Sequence, residues 1–235
     1  MTDVVVVTGA SRGIGLSVAR TLGAAGYAVV SLSRSAPPDQ EGAAQIAHVP
    51  VDLSRTDDLP DLCRRVREEF GDPYALVNNS GWGAEGLLAT QHVRDIEKVI
   101  ALNLTAPMVL TKHFGRAMLR RRRGRIVTIG SIVGRTGYSG LSAYSATKAG
   151  VEGFSRAASR EFGRAGVTVN VVAPGFVRTG MTEALGEQHL ATISRRSPLG
   201  LAEPEDVAGA VAYLLSDAAR RVTGTVLTVD GGATA

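Results

Sequence analysis

Short runs of aliphatic residues recur along the chain, separated by longer stretches in which apolar positions return every three or four residues. The runs at Val4–Val7, Ala28–Leu32, His48–Val51, Ala75–Val77, Arg125–Ile129, Val167–Val172 and Val226–Val229 read as strands. They are apolar without strict alternation, the pattern of strands covered on both faces. Helical spacing fills 14–25, 57–70, 92–100, 104–121, 143–164 and 204–216. Strands alternating with helices predict an α/β fold, a doubly wound parallel sheet of about seven strands with helices on both faces. No repeat or linker interrupts the 235 residues, so one domain is expected. The apolar positions Met181, Leu185, Leu190, Ile193 and Leu199 suit either a lid over a substrate around 181–199 or core packing.

Composition narrows the function classes. A hydrophobic content of 44% supports a packed core. The single Cys63 sits in helical apolar spacing and reads as a buried small hydrophobe. His48, His92, His113 and His189 show no ligand-like spacing, so no metal is expected. With no apolar stretch long enough to span a bilayer, a soluble cytoplasmic protein is expected. The net charge of +4 comes almost wholly from arginine, and Arg120–Arg123 with Arg125 form the one run. No aromatic residue interleaves with it, which argues against nucleic acid and for a solvated helix end.

In such sheets ligands bind at the carboxyl ends of the strands. There the first strand runs into Thr8-Gly9-Ala10-Ser11-Arg12-Gly13-Ile14-Gly15 and opens a helix. Glycines in this setting let the backbone approach a pyrophosphate resting on a helix N-terminus. The second strand ends Ser31-Leu32-Ser33-Arg34-Ser35, without the carboxylate that would hold free ribose hydroxyls. Arg34 and Arg12 suit a 2′-phosphate instead, so NADP(H) is expected over NAD(H).

Of the five tyrosines only Tyr144 has a lysine, Lys148, four residues on. That spacing puts both on one helix face. A cation ~4 Å from a phenol, at an effective dielectric of ~20, is worth about 4 kcal/mol, or roughly three pKa units. The phenol would then be a usable acid. Ser131 follows the strand ending at Ile129, thirteen residues before Tyr144, and offers a hydroxyl to a substrate oxygen. Asn103 lies in the helical stretch Ile100-Ala101-Leu102-Asn103-Leu104, awkward for a residue that prefers caps and turns. It bonds locally there or has a site role.

Together these residues resemble the short-chain dehydrogenase/reductase family over essentially the whole chain. The resemblance implies a Rossmann-like fold and a cofactor loop contributing Gly9, Ser11, Arg12, Gly13, Ile14 and Gly15. It implies Arg34 near the ribose phosphate, and Asp52 with Leu53 at the adenine. Asn78-Asn79-Ser80-Gly81 resembles the fourth-strand motif, with Asn79, Ser80 and Gly81 toward the cofactor. Pro174-Gly175-x-Val177-x-Thr179 resembles the segment that contacts the nicotinamide and its phosphates. Asn103, Ser131, Tyr144 and Lys148 match the catalytic tetrad, with Tyr144 and Lys148 also touching the cofactor. Implied roles follow. Tyr144 delivers a proton to a carbonyl oxygen and Ser131 orients it. Lys148 holds the nicotinamide ribose and lowers the phenol pKa. Asn103 holds a water that connects Lys148 to solvent. Two departures stand out. Ser80 replaces the usual alanine, and 35–47, with Pro37-Pro38, is too short for the family's usual helical connection.

Within the family the likeness is greatest to 3-oxoacyl-[acyl-carrier-protein] reductases, carried by Gly124–Ser131, Val167–Phe176 and Val222–Gly232. That implies an acidic acyl carrier protein as partner, met by Arg122 with its neighbours, Arg160 and Arg164 extending the face. A homotetramer built on 104–121 and 143–164 is implied likewise. Trp82, directly after the fourth-strand motif, either walls the substrate pocket or packs. The alternatives are a reductase of a free small ketone, such as a sugar or steroid, and a non-catalytic nucleotide sensor.

Overall fold

The computed structural model describes residues 2–38, 45–177 and 196–235. Seven strands form one sheet: β1 Val4–Thr8, β2 Ala28–Ser33, β3 Ala47–Pro50, β4 Ala75–Asn78, β5 Gly124–Ile129, β6 Val167–Pro174 and β7 Val226–Val229. The order is β3-β2-β1-β4-β5-β6-β7, and every neighbouring pair is parallel. The helices are α1 Gly13–Ala24, α2 Leu59–Phe70, α3 Val93–Ile100, α4 Ala106–Arg121, α5 Val133–Thr136, α6 Ser142–Gly163 and α7 Pro204–Leu215. The expected doubly wound architecture is present, and each predicted strand lies within two residues of an observed one.

The strands are buried on both faces because alternate side chains enter two separate cores. Along β1, Val5 and Val7 pack with Val18 and Leu22 of α1 and Val211, Leu214 and Leu215 of α7. Val6 points the other way, into Leu62 and Val66 of α2 and Leu110, Phe114 and Met118 of α4. Cys63 belongs to that second core, and burial pushes its thiol up to about 12, so it is an inert hydrophobe as expected.

Strands are added outward in one direction from β1 to β3 and in the other from β4 to β7, and this change of winding opens the crevice between the carboxyl ends of β1 and β4. The expected lid falls mostly on residues 181–195, outside the described residues, as do 39–44 of the shortened connection. Among the described residues no helix is long and apolar enough to cross a membrane, and no His, Cys, Asp and Glu cluster could hold a metal.

The arginine run lies at the opposite end of the sheet. Arg122 ends α4 in the left-handed conformation, φ 51°, and donates to the Arg164 carbonyl at 2.9 Å. Arg123 makes two 2.7 Å hydrogen bonds to the Asp3 carboxylate and lies 4.2 Å over the ring of Tyr74. Arg121 donates to the Asp72 carbonyl at 2.7 Å, and Arg125 is buried beside Asp217 at 3.5 Å. Most of this charge is therefore spent on joining helix ends to the amino ends of β1, β4 and β5, which its position in sequence did not reveal.

Candidate active site

The glycine turn after β1 is built for close approach. Gly9 and Gly13 have φ +70° and +53°, which L side chains rarely adopt. A Cβ at Gly9 would lie 2.8 Å from the Ser80 hydroxyl, and one at Gly15 would overlap the Gly9 carbonyl and the Asn79 amide. Asn79 donates from Nδ2 to the Thr8 carbonyl at 2.9 Å and to Gly9 at 3.3 Å. The Thr8 hydroxyl accepts the amides of both Asn79 and Ser80, each at 2.9 Å. Thr8 thus ties the turn to the loop after β4. This role of Thr8 depends on the adjacency of β1 and β4 and has no signature in the sequence.

α1 begins with no side-chain cap from Arg12 and no acidic residue in its first turn. The first amides of an α-helix have no acceptor within the helix, and such an uncapped end suits a phosphate. Arg12 and Arg34 are both exposed at neighbouring strand ends, and no carboxylate occurs in residues 34–38 directly after β2. Asp52 accepts the Ser54 hydroxyl at 2.7 Å and its amide at 3.0 Å, both through Oδ1. Those bonds, with the fields of Arg34 and Lys98, hold its carboxyl below the ordinary value. Leu53 is buried behind it. These residues fit a nucleotide carrying an added phosphate on its adenosine ribose.

The second half of the crevice gathers four side chains from three connections. Between α3 and α4 the helix widens into a π-helical turn, Ala101–Thr105, with Asn103 at its centre, only 1% exposed. Such turns aim one side chain off the regular helical track. Asn103 accepts the Trp82 amide and donates to the Trp82 carbonyl, both at 2.9 Å, with a further donation to Thr147 at 3.4 Å. Lys148, 4% exposed on α6, donates to the Ile129 carbonyl at 2.7 Å. Gly134 of α5 lets that short helix press on α6 at this point, since a Cβ there would lie 2.9 Å from the Lys148 carbonyl carbon. Arg135 fastens the same contact through Glu152 at 3.0 Å. Ser131, just past β5, hydrogen-bonds the Tyr144 side chain.

A Cβ at Gly81 would sit 3.5 Å from Asn103 Oδ1 and 3.7 Å from Lys148 Nζ. At Gly83 it would lie 3.9 Å from the Tyr144 ring. Glycines therefore leave open the space that Asn103, Lys148 and Tyr144 face. Pro174 ends β6, and Gly175 donates to the Val229 carbonyl at 2.9 Å. Val177 is buried, while Thr179 lies outside the described residues.

The electrostatics differ from the expectation in one respect. The Lys148 ammonium stands 5.4 Å from the Tyr144 ring centre, yet burial is the dominant influence on both groups. It pushes the phenol above its ordinary value, opposed by the Ser131 hydrogen bond, and pulls Lys148 down to about 8. The net displacement of the phenol in the chain alone is upward, opposite to the depression expected from the lysine. Spacing gave the proximity but not the desolvation.

Trp82 lines a polar cavity of about 320 Å³ with Glu85, Gln91, His92 and Asp95. Ser131, Tyr144 and Lys148 do not line it, so it lies beside the crevice.

Residues 9–234 match a family model described as "Enoyl-(Acyl carrier protein) reductase". The chain is 40% identical to a 3-oxoacyl-[acyl-carrier-protein] reductase of Escherichia coli (strain K12), over 97% of this chain and 96% of that protein. It is 39% identical to a 3-oxoacyl-[acyl-carrier-protein] reductase of Synechocystis sp., over 98% and 96%. A solved structure described as a putative NAD(P) dependent gluconate 5-dehydrogenase from Beutenbergia cavernae, with bound NADP at low occupancy, matches with a TM-score of 0.93 and 36% identity, covering 98% and 96%. The aldohexose dehydrogenase of Thermoplasma acidophilum matches with a TM-score of 0.91 and 27% identity, covering 99% and 94%.

Proposed function

From the premise that the chain belongs to the short-chain dehydrogenase/reductase family and is an oxidoreductase, we propose that it reduces a ketone to a secondary alcohol with NADPH, the substrate being a 3-oxoacyl thioester on acyl carrier protein. The observation that carries this reading is the convergence of Ser131, Tyr144, Lys148 and Asn103 around the space left by Gly81 and Gly83. NADPH, when bound, supplies the hydride that reaches the carbonyl carbon. The chain does the rest.

Ser131 orients the carbonyl oxygen with its hydroxyl, and Tyr144, hydrogen-bonded to Ser131, donates its proton to that oxygen as negative charge develops. The phenolate left behind is stabilised by the Ser131 hydrogen bond and by protonated Lys148. Lys148, which lies beside Gly81, would hold the nicotinamide ribose. Asn103 holds a water through which Tyr144 and Lys148 recover a proton from solvent. Gly9, Ser11, Gly13, Ile14 and Gly15 cradle the pyrophosphate, Arg12 and Arg34 take the 2′-phosphate, and Asp52 with Leu53 the adenine. Asn79, Ser80, Gly81, Pro174, Gly175 and Val177 form the nicotinamide side, and Thr179, outside the described residues, is assigned to it by resemblance alone.

The carrier reading gives Arg122, with Arg160 and Arg164, a part in attracting an acidic partner. Arg122 precedes β5 and Ser131 follows it, so the six residues of the strand, about 20 Å of chain, lie between them. A contact there speeds encounter and leaves the reacting carbonyl untouched. The same likeness extends to a homotetramer through α4 and α6, to be tested by sedimentation. A second reading, reduction of a free polyhydroxylated ketone, is favoured by the names of the two solved relatives and by the polar cavity at Trp82.

The decisive assay compares NADPH oxidation with a carrier-bound 3-oxoacyl thioester, its N-acetylcysteamine analogue, and free ketoses. A clear preference for the carrier-bound thioester is expected. Turnover of the sugars alone would transfer the assignment to the second reading.

A further inference from the structure

Among the described residues the buried charged side chains are Arg125, Lys148, Glu152 and Asp230. Arg125 stands beside Asp217, Lys148 belongs to the crevice, and Asp230 accepts the amides of Gly232 and Thr234 in its own turn. Glu152 has no part in the chemistry proposed above, although it is only 5% exposed in the middle of α6. Keeping a carboxylate out of water is costly, and a well-packed apolar residue of similar volume often gives equal or greater stability. Position, more than stability, explains a charge there.

The two partners of Glu152 join different things. Arg156, one turn further along α6, reaches Oε2 at 3.5 Å and ties that helix only to itself. Arg135 comes from α5, and its Nε donates to both carboxylate oxygens, at 3.0 and 3.1 Å. This pair therefore spans two elements. It lies one turn along α6 from Lys148, where Gly134 already lets α5 approach the backbone: a Cβ on Gly134 would lie 2.9 Å from the Ala149 amide nitrogen. Glycine permits the approach, and the ion pair holds it.

The start of α5 is bound to Ser131. The Val133 amide donates to the Ser131 hydroxyl at 3.4 Å, and the Gly134 amide donates to the Ser131 carbonyl at 3.1 Å. Tyr144, the hydrogen-bond partner of that hydroxyl, sits on α6. A shift of α5 along α6 is thus also a shift of Ser131 against Tyr144.

We propose that Glu152 is a positioning residue of the reaction, clamping α5 onto α6 through Arg135 and so setting the distance between the Ser131 hydroxyl and the Tyr144 phenol. This rests on the roles proposed above for Ser131 and Tyr144. Glu152 needs no contact with substrate or cofactor to act in this way, because a misplacement of about 1 Å can cost about 10²-fold in rate.

The test is a double-mutant cycle on turnover. Glu152→Gln keeps the volume and removes the charge, and kcat should fall about tenfold while KM for the ketone and NADPH affinity stay within about twofold. Arg135→Gln, at a half-exposed position and so gentler on folding, should reproduce the loss, and the two changes together should do no more than either alone. Arg156→Gln should leave kcat within about twofold, since its ion pair does not leave α6. In a Ser131→Ala background Glu152→Gln should lower kcat less than about twofold, because the distance it sets no longer matters. Losses that multiply in that background, or full turnover in both Glu152→Gln and Arg135→Gln, overturn the proposal. So does a loss of kcat that tracks dissociation of an assembly in sedimentation. Full turnover in Ser131→Ala alone overturns the role given to Ser131, and the proposal with it.

Discussion

Asn103 and Trp82 exchange two hydrogen bonds, amide to side-chain oxygen and side-chain nitrogen to carbonyl, each 2.9 Å long. The pair joins a helix to the loop after β4 with the pairing geometry of a strand, and fixes the backbone next to Gly81. Asn103→Ala leaves a part-buried donor and acceptor of Trp82 without their partner, at a cost of about 1–2 kcal/mol. Urea denaturation should show that loss, and turnover should fall at least tenfold. Full activity in a destabilised protein would reduce Asn103 to a structural role.

Tyr144→Phe removes one oxygen and leaves the ring in place. A lost general acid lowers turnover by about 10²–10⁴-fold. NADPH affinity, measured by fluorescence titration, should stay within twofold. Retained turnover would refute the assignment of Tyr144.

Lys148 is held near 8 in the folded chain against 10.5 when unfolded. Between those values the unfolded chain binds the proton and the folded one does not, so this group makes stability rise with pH across 8 to 10.5. Below 8 the cost of burying the charge is fully present, up to about 3 kcal/mol less what the Ile129 hydrogen bond returns. Lys148→Met should therefore be more stable than wild type at pH 7, and that advantage should shrink as pH rises to 10. A pH-independent difference in thermal unfolding would contradict the cause given.

Arg123 holds Asp3 and covers Tyr74, which stacks on Tyr27 with ring centres 6.1 Å apart. The arginine is more than half exposed, so water screens the pair, and Arg123→Ala should cost about 1–2 kcal/mol. The Asp3 carboxyl is depressed by this bond. Its share of stability is present above the ordinary value of 3.8 and disappears as pH falls through the lowered one. The gap between wild type and Arg123→Ala should narrow in acid to the part due to Tyr74.

Arg122→Glu tests the carrier surface. The value of kcat/KM should drop about threefold for the carrier-bound thioester, less at high salt, and stay unchanged for the N-acetylcysteamine analogue. An equal drop for both would mean that the lost contact with the Arg164 carbonyl, and not a partner, is responsible.

Much of this was legible in the sequence for a simple reason. A strand stretch covered on both faces, such as Val5–Val7, is apolar at every position, and the loops at the strand ends need glycine where a side chain would collide, as at Gly9 and Gly15. Tyr144 and Lys148 are close in sequence, so helical spacing alone joins them. What stayed hidden depends on long-range contact or on burial. Thr8 gains its two donors from a strand 71 residues away. Arg121 and Arg123 read as free charge until Asp72 and Asp3 appear beside them. The desolvation of Tyr144 comes from the surrounding elements, which spacing does not count. Asn103 was conspicuous as a misfit in a helix, but the wider turn that accommodates it has no sequence signature.

That turn also divides one continuous helical rod into two lengths whose faces are set independently. Each residue of an α-helix advances about 100°. A one-residue deletion within Ala101–Thr105 that restored regular winding would therefore swing α4 by more than a quarter of a circle against α3. Leu110, Phe114 and Met118 would be carried off the sheet together. The extra residue acts as a phase adjuster, letting the chain keep a polar group at the crevice without giving up the alignment of the apolar face of α4 on the sheet.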